Sequence, residues 1–74
     1  MENFNNEVTE KIEEKCNEMM QSSPRDVVGG EEEFKFEYKG KTYDVWIRAF
    51  WEKADWYDAT VKGNGIDLKL TDEF

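Results

Sequence analysis

The stretch from Phe34 to Trp51, FKFEYKGKTYDVWIRAFW, restricts the fold more than any other part of the chain. Phe34, Phe36 and Tyr38 alternate with Lys35, Glu37 and Lys39, the two-residue period of a strand with one face buried and the other wet. A second alternation runs through Tyr43, Val45, Ile47 and Ala49. With Lys39-Gly40 as a two-residue turn, Tyr38 faces Lys41, Phe36 faces Tyr43 and Phe34 faces Val45, so both apolar sets fall on one side. The same register sets Lys35 opposite Asp44. Lysine is a poor residue for a tight primed turn, which leaves a four-residue loop as the alternative.

Pairing Trp51 with Asp55 across Glu52, Lys53 and Ala54 continues the pattern into a third strand. It sets Ala49 against Tyr57 and Ile47 against Ala59 on one side, and Phe50 against Trp56, Arg48 against Asp58 and Asp44 against Lys62 on the other. Gly63-Asn64 then reads as a primed turn, which puts Val61 opposite Ile66 and Ala59 opposite Leu68. Residues Thr71 to Phe74 read as a short acidic end that frays.

Ahead of the strands, Phe4, Val8, Ile12, Cys16, Met19 and Met20 recur at spacings of three and four over residues 4 to 21, one apolar stripe along a Glu-rich helix. Asn3 or Asn5 is expected to cap it, Glu7 and Lys11 to pair at i,i+4, and Ser22, Ser23 and Pro24 to stop it. The segment PRDVVGGEEE, residues 24 to 33, has no period and reads as a connection, with Val27 and Val28 pinning it to the core and Glu31 to Glu33 solvated. The expected architecture is α+β: a two-layer sandwich with the N-terminal helix packed on a four-stranded antiparallel meander, α-β-β-β-β.

Length and composition bound the rest. A chain of 74 residues holds a single domain, here taken as 1–74, close to the size at which one core must suffice. Its lone cysteine forms no internal disulfide, and no charged-then-apolar leader or membrane-length apolar run occurs. These features lead to the expectation of a cytoplasmic protein that starts at Met1, with no membrane partner. Five Phe, three Tyr and three Trp supply enough buried area to argue against disorder.

The 18 acidic residues against 10 basic give a net charge of −8, divided evenly between the helix and the remainder. That balance disfavours direct nucleic-acid binding, whose affinity comes from Lys and Arg neutralising phosphates, and suits either simple solubility or a basic protein partner.

Absence of histidine removes the commonest general base, the Ser-His and Cys-His pairs and the commonest zinc ligand. Cys16 reads as a core residue, Asp58 has a structural partner in Arg48, and Gly63-Asn64-Gly65 reads as a turn and not a phosphate loop. No catalytic residue, metal ligand or cofactor is therefore expected.

One feature asks for a partner. The registers put Trp46, Phe50 and Trp56 on the sheet face away from the helix, rimmed by Lys35, Asp44, Arg48, Asp58, Lys62 and Lys69. Packing under Arg and Lys stems, or Phe74 folding back over them, is the self-contained alternative. Two function classes follow. The first is a non-enzymatic acidic interaction module that uses Trp46, Phe50, Trp56 and Arg48, the helix carboxylates Glu10, Glu13 and Glu14, or both sets. One form of it is an inhibitor whose carboxylates stand where nucleic-acid phosphates would in a basic protein. The second is a structural homodimer joined through the open sheet face.

Overall fold

A computed structural model describes residues 2–74. One helix, α1 (Glu2–Ser22), precedes four strands, β1 (Gly29–Tyr38), β2 (Lys41–Phe50), β3 (Trp56–Gly63) and β4 (Ile66–Glu73). The strands form one antiparallel sheet in the order β1-β2-β3-β4, so the chain is a helix and a meander in an α+β arrangement.

The core forms where the helical stripe meets one face of the sheet. Phe4, Val8, Ile12, Cys16 and Met19 are buried, and Met20 is half-buried. Opposite them lie Phe36 of β1, Tyr43, Val45, Ile47 and Ala49 of β2, and Tyr57, Ala59 and Val61 of β3, every second residue of each strand. Phe4 anchors the start of the helix with ring centroids 5.7 Å from Phe36, 5.2 Å from Tyr38 and 4.9 Å from Tyr43, all edge-on. That anchoring holds the first turn in place, so helix begins at Glu2 and both Asn3 and Asn5 lie inside it instead of capping it. Lys11 pairs with Glu14 at 3.8 Å and not with Glu7. At the other end the Ser23 hydroxyl donates to the Met19 carbonyl at 2.7 Å, satisfying one of the helix's last free acceptors.

Both of the first two registers are as the alternation requires. Phe36 faces Tyr43, Lys35 faces Asp44, Ile47 faces Ala59 and Phe50 faces Trp56. Lys39 and Gly40 have φ of 50° and 78°, so the first turn is a two-residue primed turn despite its lysine. The last hairpin differs from expectation. Val61 faces Leu68 and Gly63 faces Ile66, a two-residue shift, because the turn residues are Asn64 and Gly65 with φ of 51° and 83°. A shift of two keeps every side chain on its face, so Ile66, Leu68 and Leu70 still pack against the core.

Two segments expected to be irregular are strand. Gly29 to Glu33 continue β1, Gly30 opposite Ala49 and Glu32 opposite Ile47, because β2 is long enough to offer them backbone partners. Gly30 lies under the end of the helix, where an added Cβ would sit 3.2 Å from the Met19 methyl. Glu32 points to the helical side and meets Lys15 at 3.5 Å. Thr71 to Glu73 pair with Asp58 to Trp56 instead of fraying, and the Phe74 amide donates to the Asp55 carbonyl at 3.1 Å. Val27 and Val28 do not enter the core; they are 39% and 44% exposed. Their backbone does the pinning, with the Trp51 amide donating to the Val28 carbonyl at 3.1 Å and the Trp51 indole N–H to the Val27 carbonyl at 3.0 Å.

Burial, then the nearby Glu13 carboxylate, pushes the Cys16 thiol from 9.0 up to about 11. The Tyr57 phenol is also raised, by burial first and by Glu13 and Asp72 next. Above pH 9 an unfolded chain sheds the cysteine proton while the folded one keeps it. The associated stability is therefore complete below about pH 9 and is lost as pH climbs through about 11. Urea midpoints measured across that window should fall, and the fall should be shallower in Cys16→Ala. At pH 8 a thiol reagent should label Cys16 only as fast as the chain unfolds.

Candidate functional site

The sheet surface opposite the helix is built from the residues that alternate with the core. Trp46, Arg48 and Phe50 project from β2 and Trp56 and Asp58 from β3, and none of the three aromatic side chains belongs to the core cluster. Phe50 and Trp56 are direct cross-strand neighbours and stack with centroids 4.5 Å apart and planes 24° from parallel. Trp56 is 37% exposed, while Trp46 and Phe50 are half-buried.

Arg48 organises the middle of this surface. Its guanidinium lies 5.9 Å from the Trp46 ring and 5.5 Å from the Phe50 ring, neighbours two residues either side on the same strand. One nitrogen donates to Asp58 Oδ2 at 3.3 Å, and Thr71 Oγ1 donates to Asp58 Oδ1 at 3.3 Å. The arginine thus covers part of both rings, as stem packing would. Phe74 does not help to cover them. Its ring sits 6.5 Å from Tyr57, on the helical side of the sheet.

Two depressions flank the Arg48–Asp58 pair. One, of about 250 Å³, is lined by Val28, Phe50, Glu52, Lys53, Ala54 and Trp56. The other, open and about 700 Å³, is lined chiefly by Glu33, Lys35, Asp44, Trp46, Thr60 and Lys62. Lys35 and Asp44 form an ion pair beside it. Val28 is the member that sequence reasoning placed wrongly. The backbone bond between Trp51 and Val28 carries the loop past the end of β2, which leaves the valine side chain beside Phe50 and Trp56. An apolar pair next to two glycines was its only trace in the sequence.

Glu10, Glu13 and Glu14 are in the other layer. Glu10 and Glu13 line a polar groove with Asn5, Asn6, Thr9 and Asp72 between α1 and β4. Glu14 turns toward Lys11. The seven residues proposed from sequence therefore split into an aromatic set on one face of the sheet and an acidic set on the helix packed over the opposite face. One flat partner surface does not reach both.

Among the described residues no group of three or more His, Cys, Asp or Glu is arranged to hold a metal ion. No described helix is long and apolar enough to cross a membrane. Compared with known proteins, the chain matches no family model, no curated protein and no solved structure.

Proposed function

We propose that this protein is a non-enzymatic acidic interaction module that binds a basic protein through the open face of its sheet. The observation that carries the reading is the Phe50–Trp56 stack with Trp56 37% exposed and Val28 beside it, an apolar patch set in a charged surface. Aromatic groups held rigid by a sheet lose little entropy on binding and are the usual anchors of interfaces. Carboxylates on Glu31, Glu33 and Glu73 share that face by alternation, and Glu52 lines its smaller depression. They suit a partner that brings Arg or Lys alongside an apolar side chain.

The acidic helix has a different part. With a net charge of −8, the chain attracts a basic partner over distance, and Glu10, Glu13 and Glu14 act in this steering from the far side of the sheet. A partner whose basic groove normally holds nucleic acid would be inhibited by this occupation. The proposed setting is the cytoplasm, in keeping with one buried, unpaired thiol at Cys16.

The test is a pull-down with wild type and with Trp46→Ala combined with Trp56→Ala, repeated as salt is raised. The wild type should retain a basic protein, the double variant should lose it while keeping its far-UV circular dichroism, and salt should weaken capture. Capture that survives the double substitution removes the open face from the mechanism. Capture indifferent to salt removes the charge-mimicking form.

A further inference from the structure

Among the described residues nothing pairs with the outer long edge of β4, the last strand of the sheet, and the chemistry of that edge is self-complementary. Gly63 and Ile66 close the two-residue turn at Asn64-Gly65, so they exchange both backbone hydrogen bonds. Along an antiparallel strand such pairs alternate with pairs that do not bond. Ile66, Leu68 and Leu70 consequently direct their N–H and C=O groups toward β3, and Asp67, Lys69 and Thr71 direct theirs away from the sheet. The strand contains no proline, and nothing in its regular pairing with β3 indicates a bulge that would blunt the edge. On the helical side, Ile66, Leu68 and Leu70 are only half-buried, the border of the core that the helix leaves partly open.

We propose that β4 pairs antiparallel with β4 of a second copy of this chain, with Leu68 facing the partner copy's Leu68 at the two-fold axis. The parity of the bonding pattern forces outward residues to face outward residues. In the register centred on Leu68, Lys69 lies opposite Asp67 of the second copy and Asp67 opposite its Lys69, each pair exchanging backbone hydrogen bonds. Ile66 then faces Leu70 on the apolar side. A slip of two residues sets Lys69 against its own copy and Ile66 against Asp72, and a slip of four sets Asp67 against Glu73 and Leu68 against Asp72. Both registers lose the charge match and set an apolar side chain against Asp72, although the slip of two keeps Leu68 opposite Leu70. The product is one eight-stranded sheet with both helices on the same side.

Pairing through the opposite edge is less favourable. Glu31, Glu32 and Glu33 bring three consecutive carboxylates to β1, and its central apolar residue Phe36 is already buried at 6% exposure. This dimer leaves the Trp46 and Trp56 surface uncovered, so it does not depend on the function proposed above and is compatible with it. A contact of five residues per strand is small beside the interfaces of stable dimers, so the association is weak and reversible.

Sedimentation equilibrium tests the pairing with three charge states of the edge. Wild type should dimerise, and Lys69→Asp, which places carboxylate against carboxylate twice per dimer, should weaken association about tenfold or more. The double variant Asp67→Lys with Lys69→Asp should restore it. Both substituted side chains, Asp67 and Lys69, are exposed and alternate with the core-facing residues, so folding is preserved and is checked by circular dichroism. Hydrogen exchange adds a second readout: the Asp67 and Lys69 amides should slow as concentration rises, while those of Glu33 and Lys35 stay unchanged. The proposal is overturned by a wild type that stays monomeric at millimolar concentration, by a dimer indifferent to Lys69→Asp, or by protection confined to β1. Loss of the dimer in Trp46→Ala with Trp56→Ala would overturn it too, by showing that sheet faces stack instead.

Discussion

Phe4→Ala should remove about half of the chain's stability at 25 °C and lower its urea midpoint by a similar fraction. Phe4 is 1% exposed and its ring meets Phe36, Tyr38 and Tyr43 edge-on, so the truncation opens a cavity lined by three aromatic rings. Removing a buried phenylalanine costs about 3–5 kcal/mol, and each lost edge-on ring pair adds to the penalty. A domain of this length has roughly 4–11 kcal/mol of stability in total. There is no disulfide to hold the unfolded chain together, since Cys16 is the lone cysteine. Among the described residues the helix is also the only layer covering the apolar face of the sheet, and Phe4 fixes its first turn. The loss should therefore be cooperative: near-UV circular dichroism from Tyr43 and Tyr57 should vanish with the helical signal and at the same urea concentration. A variant that keeps its helix and shifts its urea midpoint by less than a tenth would mean that Phe4 is not the anchor described here.

The parts of this fold that could be read in advance are those where side chains carry a period. Alternation over Phe34 to Tyr38 and Tyr43 to Ala49 forces one register, because a slip of one residue would turn Tyr43, Val45 and Ile47 into water. The charge pairs Lys35–Asp44 and Arg48–Asp58 agreed with that register from the other face, and both are formed. Where side chains carry no period, the reading failed. Gly29 and Gly30 have none to display, and the run Glu31 to Glu33 looks the same whether alternate members point in or out. Only the length of β2 reveals that these residues are strand.

The surface was legible to the same extent. Trp46, Arg48, Phe50 and Trp56 were placed on one face by parity, and parity is what sets them there. Val28 was missed because its position follows from a backbone hydrogen bond to Trp51, which leaves no mark on composition. Parity also shows why Glu10, Glu13 and Glu14 stand apart from the aromatic residues: they ride on the layer that covers the opposite face. A role for both sets in one complex requires a partner that wraps around the sheet edge or a division between steering and contact.

The last hairpin supplies the second large effect, at Gly63. Sequence alone admits two primed turns, Gly63-Asn64 and Asn64-Gly65, which differ by a two-residue slip that parity cannot detect. In the structure Gly63 is the final residue of β3, with φ of 143°, and an added Cβ would lie 3.2 Å from both the Thr42 carbonyl oxygen and the Tyr43 Cα. These neighbours are backbone atoms of the adjacent strand, so they cannot rotate aside. Gly63→Ala therefore combines a backbone conformation that alanine resists with a contact that pushes β2 and β3 apart, together about 2–4 kcal/mol. Gly65, by contrast, has φ of 83° and open space where a Cβ would go. Gly65→Ala should cost only the left-handed strain, about 1–2 kcal/mol. Gly40→Ala should resemble it, since Gly40 occupies the same turn position with equal room around it. Thermal unfolding of the three variants should rank Gly63→Ala as the least stable by a clear margin. An inverted ranking, with Gly65→Ala the worst, would move the turn back to Gly63-Asn64, shift β4 by two residues, and remove the pairing of Lys69 with Asp67 between copies along with it.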